Sequence, residues 1–254
     1  MANELVFDIG YHKGEDTRYY LSKGYRVVAV EANPLLAKQG QTELASYIAS
    51  GQLTLLNVGI AETTGNLQFW INHKYSEWSS FHQDIGCRNG TACHAVNVDT
   101  ITMGDLIGKY GVPYYLKIDI EGNDIYCLTG LKQGQIPKYV SCEACHLEWL
   151  TVMKEKGYTK FKLINQLDGF HPYNIGWEKS TLRVLRNKVR WRIIKMLGNK
   201  TKHPVGSSGP FGEETEGEWL TYDELVAQYK SFYSRDAKGS PLNLHSWYDF
   251  HGSY

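Results

Sequence analysis

Acidic side chains recur in this sequence at the ends of apolar runs, next to glycines, and that pairing is where chemistry can be read first. Leu5-Val6-Phe7-Asp8-Ile9 runs into Gly10-Tyr11-His12-Lys13-Gly14, and a second run, Arg26-Val27-Val28-Ala29-Val30, ends in Glu31, 21 residues after Gly10. Such a run reads as a buried parallel strand, the glycines as a tight strand-to-helix turn where backbone approaches a ligand, and the next strand-end carboxylate as a holder of ribose hydroxyls. The loop spacing narrows the ligand. A dinucleotide loop reads G-x-G-x-x-G, whereas here Tyr11, His12 and Lys13 separate the two glycines and Asp8 precedes the first. An acid at that point favours a cationic group over a pyrophosphate. S-adenosylmethionine, with an ammonium, a sulfonium and a ribose but no phosphate, meets that requirement. A dinucleotide site of an NAD-type oxidoreductase, a non-catalytic cofactor-binding module acting as an assembly partner, and an ordinary strand-to-helix turn are the alternatives.

Further along, Tyr114-Tyr115-Leu116-Lys117-Ile118-Asp119-Ile120 reads as the fourth parallel strand and Lys138 to Ala144 as the fifth. Ligands of open α/β sheets sit outside the carboxyl ends of the strands, so Asp119, Glu121 and Glu143 are expected in the same crevice as Asp8, Gly10 and Glu31. Methyl transfer from a sulfonium to oxygen is an in-line displacement that also needs the hydroxyl proton removed. His146 is the first candidate base because an imidazole titrates near neutrality, with Glu143, Asp119 and His82 as further candidates. A helix cap or a surface residue is the other reading of His146, and Asp124 reads as a cap.

Four stretches resemble the FkbM-type class I methyltransferases: Phe7 to Gly14; Val30-Glu31-Ala32-Asn33-Pro34; Leu56-Asn57-Val58-Gly59-Ile60-Ala61 with Gly65; and Leu116-Lys117-Ile118-Asp119-Ile120-Glu121-Gly122-Asn123-Asp124. The last is similar to the family's K-I-D-[VI]-E-G-x-[ED] block and is the most specific. The resemblance covers roughly residues 4 to 165, and Tyr11 departs from the small residue usual there, where it would narrow or cover the cofactor mouth. It implies a Rossmann-like, doubly wound, mostly parallel α/β sheet, S-adenosylmethionine as cofactor, and O-methylation of a hydroxyl on a sugar, polysaccharide or secondary metabolite. In that scheme Asp8, Gly10 and Gly14 receive the methionine part and Glu31 the ribose. Asn57, Val58 and Gly59 with Ser80 flank the adenine. Tyr11, His12, Thr17 and Ala32 complete the cofactor shell, and Asp119 orients the cofactor amine or the acceptor.

The cysteines and carboxylates raise metal readings that the rest of the sequence does not require. Cys142-Glu143-Ala144-Cys145-His146 matches the c-type haem attachment pattern, but it lies on an expected core strand. Cys87, Cys93 and His94 with Cys142, Cys145 and His146 form a zinc set only if two distant pairs converge. Asp119, Glu121 and Glu143 could hold magnesium, which neither the residues nor the resemblance calls for. No metal is expected. The odd count of five cysteines, without an export signal, reads as reduced thiols and a cytoplasmic protein.

The elements that must position these residues alternate as strands and helices. Asn33-Pro34 starts a helix that runs from Leu35 to Ala49 and closes at Gly51; Leu53 to Val58, Ala95 to Val98 and Tyr158 to Ile164 read as strands; Gly65 to Asn72 reads as an extended pair or hairpin. Lys74 to His94 is irregular and reads as a cofactor lid carrying Ser79-Ser80-Phe81. The cofactor domain is expected over residues 1–165. Residues 166–254 form a C-terminal extension that shapes the acceptor site or a subunit contact. It holds a basic amphipathic segment at 183–195, a mobile Gly/Ser loop at 202–217, a helix from Thr221 to Tyr233 and an aromatic end from Leu244 to His251, suited to stacking on a carbohydrate or to core packing. Lys plus Arg equals Asp plus Glu at 27 each, so charge calls for neither nucleic acid nor an acidic membrane. No apolar run reaches membrane-spanning length. A small-molecule or carbohydrate acceptor is expected, with a homo-oligomer possible.

Overall fold

The computed structural model describes residues 4–166, 170–174, 189, 207–232 and 247–254. Strand β1 (Leu5–Ile9) leads through the glycine turn into α1 (Glu15–Ser22), then β2 (Arg26–Val30), α2 (Pro34–Glu43), α3 (Ala45–Ala49), β3 (Leu53–Leu56), β4 (Gly59–Ile60) and β5 (Gly65–Asn72). There follow α4 (Gln83–Gly86), β6 (Cys93–Ile101), α5 (Met103–Tyr110), β7 (Tyr115–Ile118), α6 (Asp124–Thr129), β8 (Tyr139–Glu143), α7 (Leu147–Lys156), β9 (Lys160–Asn165), α8 (Tyr222–Phe232) and β10 (Tyr248–Ser253). Two starts show local chemistry at work: Asn33 caps α2 by accepting from the Leu35 N–H ahead of a first-turn proline, and the Thr102 hydroxyl accepts from the Asp105 N–H at the start of α5. The expected single helix from Leu35 to Ala49 breaks in two at Leu44.

Seven strands form one sheet in the order β3-β2-β1-β7-β8-β10-β9, parallel except for β10, which runs antiparallel between β8 and β9. The fold is a Rossmann-like α/β sheet with helices on both faces. One face, with Phe7, Ile9, Ile118, Val140 and Phe250, packs under α5, α6, α7 and α8; the other, with Val6, Val27, Ala29 and Leu55, packs under α1 and α3. Strands such as β1, buried at every residue, are apolar on both faces but for Asp8 for this reason. A smaller sheet, β4-β6-β5, stands beside the main one and brings Phe69 and the loop after β5 towards the crevice.

The boundary drawn at residue 165 does not coincide with a break in the sheet. The aromatic end supplies β10, with Tyr248 and Phe250 fully in the core, so residues 247–254 complete the first unit rather than extend it. The physical reason is that β8 and β9 do not pair with each other, and an antiparallel strand satisfies the ladder groups of both. The part of the expected mobile loop that is described is anchored instead. Ser208 and Gly209 donate backbone N–H groups to the buried Asp16 carboxylate at 2.9 Å each, and Phe211 stacks on Tyr115 with ring centroids 3.8 Å apart. The basic segment at 183–195 lies outside the described residues, Val189 excepted.

Cys87 and Cys93 form a disulfide, which corrects the expectation of five reduced thiols; Cys127, Cys142 and Cys145 are free. It also removes two ligands from the zinc set, because bonded sulfurs are not thiolates. No helix among the described residues is long and apolar enough to cross a membrane.

Candidate active site

A crevice opens at the carboxyl ends of β1, β2 and β7, enclosing about 780 Å³ including its open mouth. Gly10 makes its floor. Its φ of 96° suits a residue without a side chain, and a Cβ there would lie 1.8 Å from the Asp119 carbonyl oxygen, so only glycine lets the turn cross β7. Gly10 and Tyr11 both donate N–H groups to the Val30 carbonyl, which ties the turn to β2. Glu31, at the end of β2, accepts from the His12 N–H and the Asn33 N–H at 2.7 Å each, so the two halves of the rim are bridged by one carboxylate. Burial pushes the Glu31 carboxyl up to about 7 despite those two bonds.

Asp8 does not face the crevice. It is fully buried, accepts from Thr17 Oγ1 at 2.6 Å and lies 3.1 Å from Lys117 Nζ. Lys117 is the residue whose role sequence reasoning left unassigned: its ammonium donates to the Gly10 carbonyl at 2.7 Å and also lies 3.8 Å from Asp16 and 3.9 Å from Asp119. Burial works against its charge, but Asp8, Asp119 and Asp16 outweigh it and keep it protonated. Asp8 and Thr17 therefore position Lys117, and Lys117 positions the loop. A lysine at the centre of an otherwise apolar strand motif was the available signal.

Tyr11 does not cover the mouth either. Its ring is buried beneath Gly14 and Gly40, where a Cβ on either glycine would lie within 2.5 Å of the phenol oxygen, and the residue is part of the crevice lining. Gly14 lies over this ring and is not part of the crevice lining. His12 reaches across to the lid, its Nε2 2.8 Å from Ser76 Oγ, from a backbone with φ of 52°. Burial lowers the proton affinity of its imidazole.

On the other wall, Val58, Gly59, Ile60, Leu36, Phe69 and Phe81 give an apolar slot, and Ala32 lies at its edge. Asn57 points away and holds the Glu31 and Ala32 carbonyls with its amide. Ser79 lines the crevice, whereas Ser80 is buried behind it, donating to the Glu121 carbonyl at 2.6 Å and fixing the lid loop. Glu121, with φ of 51°, turns its carboxylate to a bidentate pair with Arg88 at 2.9 and 3.0 Å. Burial raises the Glu121 carboxyl to about 7 against that pairing. Arg88 in turn lies over the Trp78 ring, 4.3 Å from its centroid.

Asp119 lines the crevice. Glu143 ends β8 on the same face one strand further on, outside the lining, and burial with Asp119, Glu121, Asp124 and Asp249 nearby raises its proton affinity well above the ordinary range. His146 is exposed at the start of α7 with its ring against Trp149, and it is not part of the crevice lining. His82 likewise lies off the lining, with its Nε2 3.0 Å from Asn123 Oδ1. Asp124 accepts from the Gly122 and Ile120 N–H groups and so caps the turn into α6. Among the described residues no three of His, Cys, Asp and Glu converge to hold a metal ion.

A Rossmann-like sheet with its crevice at a glycine turn and a strand-end carboxylate defines a nucleoside-cofactor enzyme. The model of the methyltransferase FkbM domain matches residues 8–160, and the chain belongs to that family of S-adenosylmethionine-dependent methyltransferases. No curated protein matches the chain. Among solved structures it is similar to a precorrin-6y C5,15-methyltransferase from Geobacter metallireducens, at 14% identity and a TM-score of 0.36, over 68% of this chain and 77% of that one. It is also similar to phosphoethanolamine N-methyltransferase 2 of Haemonchus contortus in complex with S-adenosyl-L-methionine, at 12% identity and a TM-score of 0.43. That match covers 99% of this chain and 49% of the other, so the chain spans about half its length.

Proposed function

We propose that the protein transfers the methyl group of S-adenosylmethionine to a hydroxyl oxygen of a sugar or other small metabolite, with Asp119 as the base nearest the transfer. The observation that carries this reading is the charge of the crevice. Glu15, Asp16, Glu31, Glu77, Asp119 and Glu121 line it with six carboxyl groups, of which Glu121 is paired with Arg88, against the single lining ammonium of Lys117. A cofactor carrying a sulfonium and an ammonium is attracted by that wall, and the pyrophosphate of a dinucleotide is repelled. The Glu31 oxygens each keep a lone pair for a ribose hydroxyl after accepting His12 and Asn33, and the slot between Leu36, Val58, Phe69 and Phe81 suits an adenine face.

Bound S-adenosylmethionine supplies an electrophilic methyl group on sulfur. The chain's part is to hold the two reactants in line and to accept a proton. Asp119, one residue beyond β7, lines the crevice against the Gly10 turn, and Glu143 is the next acceptor along the same face. This reading does not use His146, whose ring packs on Trp149 outside the crevice lining.

The test is to incubate the protein with S-adenosylmethionine bearing a deuterated methyl group and a panel of sugars and hydroxylated metabolites, and to read the products by mass spectrometry. Label in an ether-linked methyl group, with kcat falling far more than KM changes in Asp119→Asn, is expected. Label found only on nitrogen or carbon would overturn the oxygen assignment.

A further inference from the structure

Three carboxylates stand side by side across the ends of β7, β8 and β10. Asp249 is opposite Glu143 in the β10–β8 register. Ile118 is opposite Cys142, which sets Asp119 beside Glu143 one residue further along. Lys117, two residues before Asp119, is opposite Ser141, two before Glu143, so all three acids project from one face of the sheet. Neighbouring strands lie about 4.8 Å apart, so the row spans about 10 Å, from Asp119 in the crevice lining to Glu143 and Asp249 beyond it.

The far member of the row is the unusual one. Asp249 is 1% exposed, and neither of its carboxylate oxygens has a hydrogen-bond partner. The Gln166 and Ser208 side chains lie near enough to lower its proton affinity but not in bonding geometry. Burial, with Asp119 nearby, nevertheless raises its carboxyl to about 8. Among the described residues neither Glu143 nor Asp249 has a salt-bridge partner, and the buried ammoniums on this face are committed elsewhere, Lys117 to Asp8, Asp16, Asp119 and the Gly10 carbonyl and Lys162 to Thr215. A buried acid without a partner is costly to keep unless something arrives to satisfy it.

We infer that the Glu143–Asp249 end of this row is an acceptor subsite for a protonated amine, with Asp119 left to take the proton, so that the acceptor carries an ammonium group as well as the atom methylated. An ammonium has three donors and can bridge carboxylates one strand apart. A metal ion would need its ligands gathered within about 2–2.6 Å of one point, and no three such groups converge among the described residues. This inference rests on the methyltransferase reading above, because it takes the Gly10 side of the crevice as the cofactor's. It names an amino alcohol, such as an amino sugar, as the substrate class.

The experiment is isothermal calorimetry on the full chain saturated with S-adenosylhomocysteine. The probes are glucosamine, ethanolamine and lysine, each against its N-acetylated (for lysine, Nε-acetylated) counterpart, and magnesium chloride alone. At least one amine is expected to bind about tenfold more tightly than its acetylated form. Its heat should depend on the buffer's ionisation enthalpy, because an arriving cation displaces carboxyl protons. Asp249→Asn and, as a second variant at the half-buried position, Glu143→Gln should each weaken the amine about tenfold while S-adenosylhomocysteine still binds. No preference in any pair, a preference that survives both variants, or magnesium binding that both variants abolish would overturn the subsite. Loss of S-adenosylhomocysteine binding in the unaltered protein would instead overturn the cofactor reading beneath it.

Discussion

The two sides of the crevice are built on opposite principles. On the β1–β2 side every buried charge is partnered before any ligand arrives: Asp8 by Lys117 and Thr17, Asp16 by two backbone N–H groups, Glu31 by two more. On the β8–β10 side, Glu143 and Asp249 stand next to each other with no salt-bridge partner among the described residues. The first side is a preformed cradle whose shape is set by backbone. The second keeps its polar groups in reserve, which is the arrangement expected where the ligand itself supplies the counter-charge.

The largest effect should come from removing the cation on which the preformed side depends. Lys117→Met leaves Asp8 and Asp16 buried without it and should cost about 3–5 kcal/mol in chemical denaturation, the scale of breaking a buried ion pair from one side. A loss below about 1 kcal/mol would show that those acids are neutral and that the contrast between the two sides is false. Gly10→Ala comes next. The new methyl would meet the Asp119 carbonyl, and the positive φ would add strain of about 1–3 kcal/mol, so S-adenosylhomocysteine affinity should fall more than stability does.

The pH dependence of stability separates the sides without a mutation. Burial raises Asp16 from 3.8 to about 7, Glu31 from 4.5 to about 7 and Asp249 from 3.8 to about 8. The folded chain therefore binds more protons than the unfolded chain in those windows, and stability falls as pH rises through them. Between pH 6.5 and 8, the ligand-free protein should melt at a lower temperature as the pH increases. Below 6.5 the trend is opposed by His251, whose burial lowers its pKa to about 3 and which must stay neutral to remain folded. Asp249→Asn should flatten the upper part of that slope, and an unchanged slope would place the titration elsewhere. Arg88→Ala is the mildest change. It frees the partly exposed Glu121 carboxylate at the lid and should cost about 1 kcal/mol or less, read in a thermal melt.

The preformed side is the one legible in the sequence, and the reason is distance along the chain. Gly10, Glu31 and the intervening helix are one strand-turn-helix-strand unit, so pattern and turn chemistry suffice to locate the crevice. Their individual duties were harder to read. Asp8, Gly14 and Thr17 belong to the glycine motif yet act on Lys117 and Tyr11 instead of facing the crevice. Ser80 supports the lid from behind while its neighbour Ser79 lines it.

The open side is assembled from afar. Asp249 reaches Glu143 from 106 residues away on an antiparallel strand, and the aromatic residues around it read equally well as a stacking surface for a carbohydrate. Ser208 and Gly209 were part of an expected mobile stretch because glycine and serine dominate its composition. Composition does not show that a buried carboxylate on α1 holds both of their N–H groups. His146 was the attractive base because of its intrinsic proton affinity, but its position at the start of α7 turns the ring outward.

The most direct test of the central claim is calorimetric titration of the purified full chain with S-adenosylhomocysteine and, separately, with NAD, followed by the same titrations of Glu31→Gln. A crevice lined by six carboxyl groups and one ammonium should bind S-adenosylhomocysteine, leave NAD unbound, and lose about tenfold in affinity when the Glu31 carboxylate becomes an amide. Tight NAD binding, or S-adenosylhomocysteine binding indifferent to Glu31, would contradict the account.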